Sequence, residues 1–232
     1  VLQTLAAILG SMLTPIGNPQ NLFLFSNMPV GTVQFMKILF PYTSLSFMLL
    51  IFSTLIIKNE KTRIEQQEAE SESTSCTGKN ILYTALFILC LLSVADVVPK
   101  WAAAVLVALC VLVSDRKIFC NIDFMLLLTF TAFFIFTGNI ARLESVDSFL
   151  KQITGGNEFT TGLAFSQLIS NVPATLLLHP FAQNTKELLL GVDIGGLGTP
   201  VASLASLISL KLYTQEKGGT GKFLSVFTLM NI

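Results

Sequence analysis

Charge is the scarcest property of this chain: 12% of its 232 residues are Asp, Glu, Lys or Arg, against roughly 25% in soluble domains. The two signs balance at 14 each, so no basic surface is available for nucleic acid. Histidine occurs once, as His179, and the four cysteines, Cys76, Cys90, Cys110 and Cys120, are too far apart for a CxxC or Cys/His zinc site. They read as free thiols in or beside apolar runs. Gly218-Gly-Thr-Gly221-Lys222 lacks the earlier glycine of a phosphate loop, and Phe223 stands where Mg²⁺ needs a hydroxyl. With no paired carboxylates, Ser/His/Asp set or metal cluster, the chain does not read as an enzyme. No basic segment with a cleavage site opens it, and Lys222–Ile232 starts an apolar run that stops at about half of the roughly 20 residues a span needs. The chain reads as truncated at both ends.

What is abundant is apolar surface, 52% of residues with a mean hydropathy of +0.71, which fits lipid as the solvent. One pattern occurs twice within it. Gly10-Ser-Met-Leu-Thr14-Pro15-Ile-Gly-Asn18-Pro-Gln-Asn21-Leu22 and Gly195-Gly-Leu-Gly198-Thr199-Pro200-Val-Ala-Ser203-Leu-Ala-Ser206-Leu207 keep one constant offset, that from Thr14 to Thr199, across Gly, Thr-Pro, two small polar positions and Leu. Gly/Pro-interrupted apolar segments at corresponding positions of two halves point to the binding site of a secondary transporter.

The expected fold class is an all-α polytopic membrane protein, an inverted-repeat transporter with broken helices and a re-entrant hairpin. Residues 1–57 form an incomplete first repeat, a broken helix plus a span at Val33–Ile57. Residues 58–79, rich in Glu, Gln, Ser, Lys and Arg, read as a disordered linker. Residues 80–232 form the second repeat: spans at 81–98, 101–113 and 124–140, a re-entrant hairpin at about 158–182 tipped by Ser170-Asn171, a broken helix at about 187–210 and the start of a last span. Nine cations fall on the linker's side (58, 61, 63, 79, 116, 117, 211, 217, 222) and five on the other (37, 100, 142, 151, 186), which makes the linker cytoplasmic in an inner or plasma membrane. On that count the repeats are inverted, provided that 101–113 crosses.

Unwound membrane helices expose amides, carbonyls and half-helix dipoles, and so can hold both an anion and a cation. Thr14, Asn18, Asn21, Thr199, Ser203 and Ser206 supply neutral donors and acceptors, and Pro15 and Pro200 free carbonyl oxygens that suit sodium. Pro173 fits the first turn of the returning hairpin helix, whose amides then point at the tip. The plain alternative is that such small residues only let helices pack closely. Asp193, the acid inside the second broken segment, either relays protons or holds a cation, or is a helix-end carboxylate bonded to nearby amides. His179, before Pro180, reads as a packing residue.

Thr14-Pro-Ile-Gly-Asn-Pro-Gln-Asn21, Ser170-Asn-Val-Pro-Ala174 and Gly195-Gly-Leu-Gly-Thr-Pro200 together resemble the ion transporter superfamily. Within it the chain is similar to the citrate-transporter-like permeases, grouped with the arsenite pump and sodium/proton antiporter branch and related to the divalent-anion/sodium symporters. The resemblance implies an inverted-repeat anion transporter with elevator-like or rocking motion. It implies a substrate site at Ser170, Asn171, Val172, Thr199, Pro200, Thr14, Pro15 and Asn21. Ion ligands are implied among Ser170, Asn171, Gly195, Gly198, Asn18, Ser203 and Asp193, with sodium as the one bound ion and no other cofactor or metal. Val172 stands where the symporters place Thr, and Asp193 replaces an expected neutral polar residue, which admits proton coupling. The family's first hairpin is absent from the chain, and a homodimer is compatible with the family's motion. The expected function is an ion-coupled permease for a small anion, citrate or another carboxylate, in a lipid bilayer; an arsenite exporter or sodium/proton antiporter, and a non-transporting membrane scaffold, stay open.

Overall fold

The computed structural model of the protein describes residues 1–56, 77–95, 97–120, 124–140, 142–217 and 220–231, and among them every regular element is a helix. The α-helices are α1 (Leu2–Met12), α2 (Pro19–Asn27), α3 (Thr32–Ile56), α4 (Thr77–Val94), α5 (Lys100–Ser114), α6 (Arg116–Cys120), α7 (Phe124–Ile140), α8 (Glu144–Thr154), α9 (Glu158–Ile169), α10 (Asn171–Leu178), α11 (Thr185–Gly195), α12 (Leu204–Lys217) and α13 (Thr220–Asn231). A 3-10 turn, His179–Phe181, separates α10 from α11. The expected linker lies mostly outside the described residues, and its last three residues belong to the first turn of α4. The expected spans fall on helices α3, α4, α5 and α7, with α4 ending four residues before the expected 98, and each expected break interrupts a helix.

The chain divides into two compact units, 1–57 with 128–232 and 58–127. In the 58–127 unit α4 packs on α5 and α5 on α6, with Lys79 Nζ 3.6 Å from Asp115 Oδ2. The thiols of Cys90 and Cys110 are free. Residues 121–123 and 141 lie outside the described set.

The other unit holds the breaks and the hairpin. Its α3 is long and apolar enough over Thr32–Leu55 to cross a membrane by length and composition. Phe40, Phe47, Met48, Phe52 and Leu55 stand exposed along it, an apolar surface that suits lipid rather than water. The shorter apolar helices α1 and α12 need partners or breaks to fill the same thickness. The buried core joins Met12, Leu24, Phe35 and Leu39 to Leu177, Leu178, Leu188, Leu189 and Val192.

The hairpin α9–α10 is positioned by glycines and by its foot. Gly162, Gly191 and Gly195 bring α9 and α11 together: a Cβ on Gly191 would lie 2.3 Å from the Phe159 carbonyl oxygen, and one on Gly195 2.8 Å from Ser166 Cβ. At the foot, the fully buried Glu158 Oε1 accepts from the backbone N–H of Gln183 (3.0 Å) and Asn184 (3.2 Å). Asn184 in turn caps α11, accepting from the N–H of Lys186 and Glu187. His179 lies edge-on to Phe23 with ring centroids 5.2 Å apart, a packing contact.

Candidate functional site

The two interrupted segments share two backbone hydrogen bonds at equivalent positions, although Leu13 is right-handed helical where its equivalent Gly198 has φ 101°. At the first, the Gly17 N–H donates to Thr14 O at 3.1 Å and the Leu22 N–H to Asn18 O at 3.2 Å; at the equivalent positions of the second, Ala202 donates to Thr199 O at 3.1 Å and Leu207 to Ser203 O at 3.2 Å. Pro19 and Leu204, equivalent in the same register, open α2 and α12. Asn18 and Ser203 thus hold the last non-helical positions, and Asn18 Oδ1 accepts from the Asn21 N–H at 3.0 Å as a helix N-cap does. Asn21 and Ser206 therefore lie inside helices rather than in the breaks. Both are fully buried, and both carry an oxygen without a partner, Asn21 Oδ1 and Ser206 Oγ.

The segments cross with opposite sense: α1 packs on α12, and α2 on α11. Thr4 Oγ1 donates to Ser209 Oγ at 2.8 Å in the first contact, and Gln20 Nε2 to Asp193 Oδ1 at 3.3 Å in the second. First half meets second half in each case, as two segments running antiparallel require.

The hairpin tip completes the arrangement. Ser170 links α9 to α10 with φ 78° and ψ 151°, the one non-Gly residue with positive φ among the described residues. That region is almost restricted to glycine and costs on the order of 1–3 kcal/mol, so the neighbours must hold it. They do: Ser170 Oγ donates to Ala202 O at 3.3 Å and the Asn171 N–H to the same oxygen at 2.9 Å. Thr175 Oγ1 donates to Asn171 O at 2.7 Å, and Pro173 sits in the first turn of α10, where no amide is lost.

A cavity of about 310 Å³ lies where these parts meet, lined by Ser11, Gly17, Asn18, Gln20, Asn171, Val172 and Ser203 among others. Three helix N-termini open on it: Asn18 to Gln20 of α2, Asn171 and Val172 of α10, and Ser203 to Ala205 before and in α12. Each brings about half a positive charge, but Pro19 and Pro173 carry no N–H and the amides of Asn21 and Asn171 are taken by Asn18 Oδ1 and Ala202 O, which leaves those of Gln20 and Val172 in the first turns of α2 and α10. Among the described residues, no Lys, Arg or carboxylate lines it.

Of the residues singled out in the sequence, Asn18, Asn171, Val172 and Ser203 face this cavity. The rest surround it at one remove. Thr199 turns to the hairpin, its N–H donating to Gln167 Oε1 at 2.8 Å and its Oγ1 to Gln167 O at 3.2 Å. Gly198 makes that turn with φ 101°, and Gly195 is packing against α9. Thr14 and Pro15 shape the first break, Thr14 through its carbonyl, while Pro200 follows Thr199 in the second. Asn21 Nδ2 donates to Met12 O at 2.9 Å. Asp193 is buried in the last turns of α11, with the amides of Gln20, Asn21 and Asn18 around its carboxyl and its Oδ2 unpartnered. Sequence reasoning missed Gln20, which joins the cavity wall to Asp193, and Gln167, a lone amide in an apolar stretch. The position of Gln167 three residues before the tip was the only available signal.

A family model described as citrate transporter matches residues 1–210. An uncharacterized transporter of Methanocaldococcus jannaschii is 34% identical over 228 residues, covering 97% of this chain and 61% of that protein. The inner membrane protein YbiR of Escherichia coli is 29% identical over 226 residues, 94% of this chain and 59% of its own length. The chain thus spans about three-fifths of the length of these relatives. No solved structure matches it.

Proposed function

The chain belongs to the citrate transporter family, and from that premise we propose that it carries the substrate site of an ion-coupled permease for a small anion, citrate or another carboxylate. As a member of that family, similar to a named transporter, it is part of an integral membrane transporter rather than an enzyme. The observation that carries the anion is the convergence of the α2, α10 and α12 N-termini on one cavity without a cationic side chain. Dipoles and neutral amides attract a carboxylate enough to bind it, and bind it less tightly than fixed cations would, which suits a site that must also release. The shared local structure at equivalent positions and the opposite crossing of the two segments support an inverted repeat.

The coupling ion in this reading is a proton on Asp193. Its Oδ2 is buried and without a hydrogen-bond partner among the described residues, a position that a proton can occupy. An ionised Asp193, joined to the cavity wall through Gln20, would oppose an anion next door; protonation removes that charge. A second reading makes sodium the coupling ion. It is favoured by the equivalent placement of Asn21 Oδ1 and Ser206 Oγ, both buried and without a hydrogen-bond partner among the described residues.

Uptake of labelled citrate and succinate into proteoliposomes holding the full-length parent protein, under an imposed proton or sodium gradient, tests both. Uptake driven by the proton gradient and abolished by Asn171→Ala supports the proton-coupled permease. Dependence on sodium alone selects the second reading, and no uptake of either anion by the folded protein rejects the carboxylate.

A further inference from the structure

The two breaks share a turn and the first bond of the following helix, yet their interrupted helix ends are held by different means. In the first, Met12 O accepts from Asn21 Nδ2, an amide supplied two residues into the next helix by the segment itself. The equivalent carbonyl in the second break is Leu197 O. The residue equivalent to Asn21 is Ser206, whose hydroxyl is fully buried and without a partner. The amide comes instead from the hairpin: Gln167 Nε2 donates to Leu197 O and, at 2.7 Å, to Gly195 O, while Gln167 Oε1 accepts the Thr199 N–H at 2.8 Å.

A primary amide has two N–H donors and one carbonyl, and here all are committed to one stretch of backbone. Carbonyls left over at the end of α11 are satisfied, and the turn into α12 is fixed by the same group. Gly198 is shaped to it: with φ 101°, a Cβ there would meet Gln167 Oε1 at 2.7 Å. Three further bonds, Thr199 Oγ1 to Gln167 O and both Ser170 Oγ and the Asn171 N–H to Ala202 O, continue the seam up to the cavity. Gln167 itself does not line that cavity.

We propose that Gln167 is a positioning residue that locks the hairpin tip and the second break into one rigid cradle, setting the approach of the α10 and α12 N-termini to the anion, while the first break is closed by its own Asn21. This rests on the anion site proposed above. The choice of Gln follows from the chemistry: a carboxylate accepts the Thr199 N–H but cannot donate to Gly195 and Leu197, and an apolar side chain does neither.

The test uses the full-length protein in proteoliposomes with labelled citrate or succinate. Gln167→Ala raises KM by about tenfold or more, as the loss of two or three hydrogen bonds implies, with Vmax changed much less. Gln167→Glu behaves similarly at neutral pH and recovers toward wild type in acid, because a protonated carboxyl regains one donor; the Ala variant shows no such recovery. Ser206→Asn on the Gln167→Ala background transplants the first break's own solution and restores KM. In parallel, hydrogen exchange at the Thr199 amide of the purified protein rises at least tenfold in Gln167→Ala, a readout that needs no substrate. Unchanged exchange, or a KM defect that neither acid with Glu nor Ser206→Asn relieves, overturns the clamp. If the wild type takes up neither anion while Thr199 exchange still responds, the clamp stands and the carboxylate reading falls.

Discussion

At the scale of single residues, Ser170 and Asp193 are the two places where the chain stores free energy at the site. Ser170→Ala and Ser170→Gly both delete the hydroxyl bonded to Ala202 O, but only glycine relieves the positive φ. Strain relief of on the order of 1–3 kcal/mol exceeds the roughly 0.5–1 kcal/mol entropic penalty of glycine. Thermal unfolding in detergent is therefore expected to place the Gly variant above the Ala variant; the reverse order would mean that the tip is unstrained. Asp193→Asn presents a neutral amide where the carboxyl stood, and its Oδ1 can still accept from Gln20 Nε2. The variant should fold and exchange substrate across the membrane without a gradient, yet fail to accumulate it under a proton gradient. Loss of exchange as well would favour the antiporter reading, in which the acid is indispensable.

At the scale of elements, the contact between α9 and α11 decides where the tip sits. Gly191 permits it, since a methyl group there would meet the Phe159 carbonyl oxygen at 2.3 Å, and backbone cannot swing aside as a side chain can. Gly191→Ala should cost about 1–3 kcal/mol of stability by overpacking, whereas Gly138→Ala, with nothing within 4 Å of its added Cβ, should cost little or nothing; unfolding of the two variants side by side checks the difference. Long apolar runs such as α3 and α7 were legible in the sequence because a membrane span announces itself by length. The hairpin tip was legible through Asn171-Val-Pro173. Helix α8 was not: it is short, with its polar and apolar residues on opposite faces, so no hydropathy window reports it. Asn21 and Ser206 were legible as polar residues of a repeat, but their place inside helices follows from capping at Asn18 and from backbone bonding at Ser203, one step below what a pattern records. Gln167 belongs to no repeat, and its partners are backbone groups, distant in the sequence, of a kind that every residue carries.

At the scale of the whole molecule, the proposed inverted topology makes a prediction about sidedness. The packing of α1 on α12 and of α2 on α11 is what the proposed inverted repeat, with its two broken segments traversing the membrane in opposite directions, calls for. The cation count requires the same only if α5 crosses, and its 15 residues span about 22 Å of a hydrocarbon core of about 30 Å. A shorter crossing is accommodated by local thinning of the bilayer at modest cost. Sidedness labelling checks the parity directly. With Cys90, Cys110 and Cys120 replaced by Ser, Cys76 in the polar segment should react with an impermeant maleimide only in inside-out vesicles. Ser148→Cys, exposed on α8, should react only in right-side-out ones. If both label from one side, α5 does not cross and the inverted-repeat reading falls.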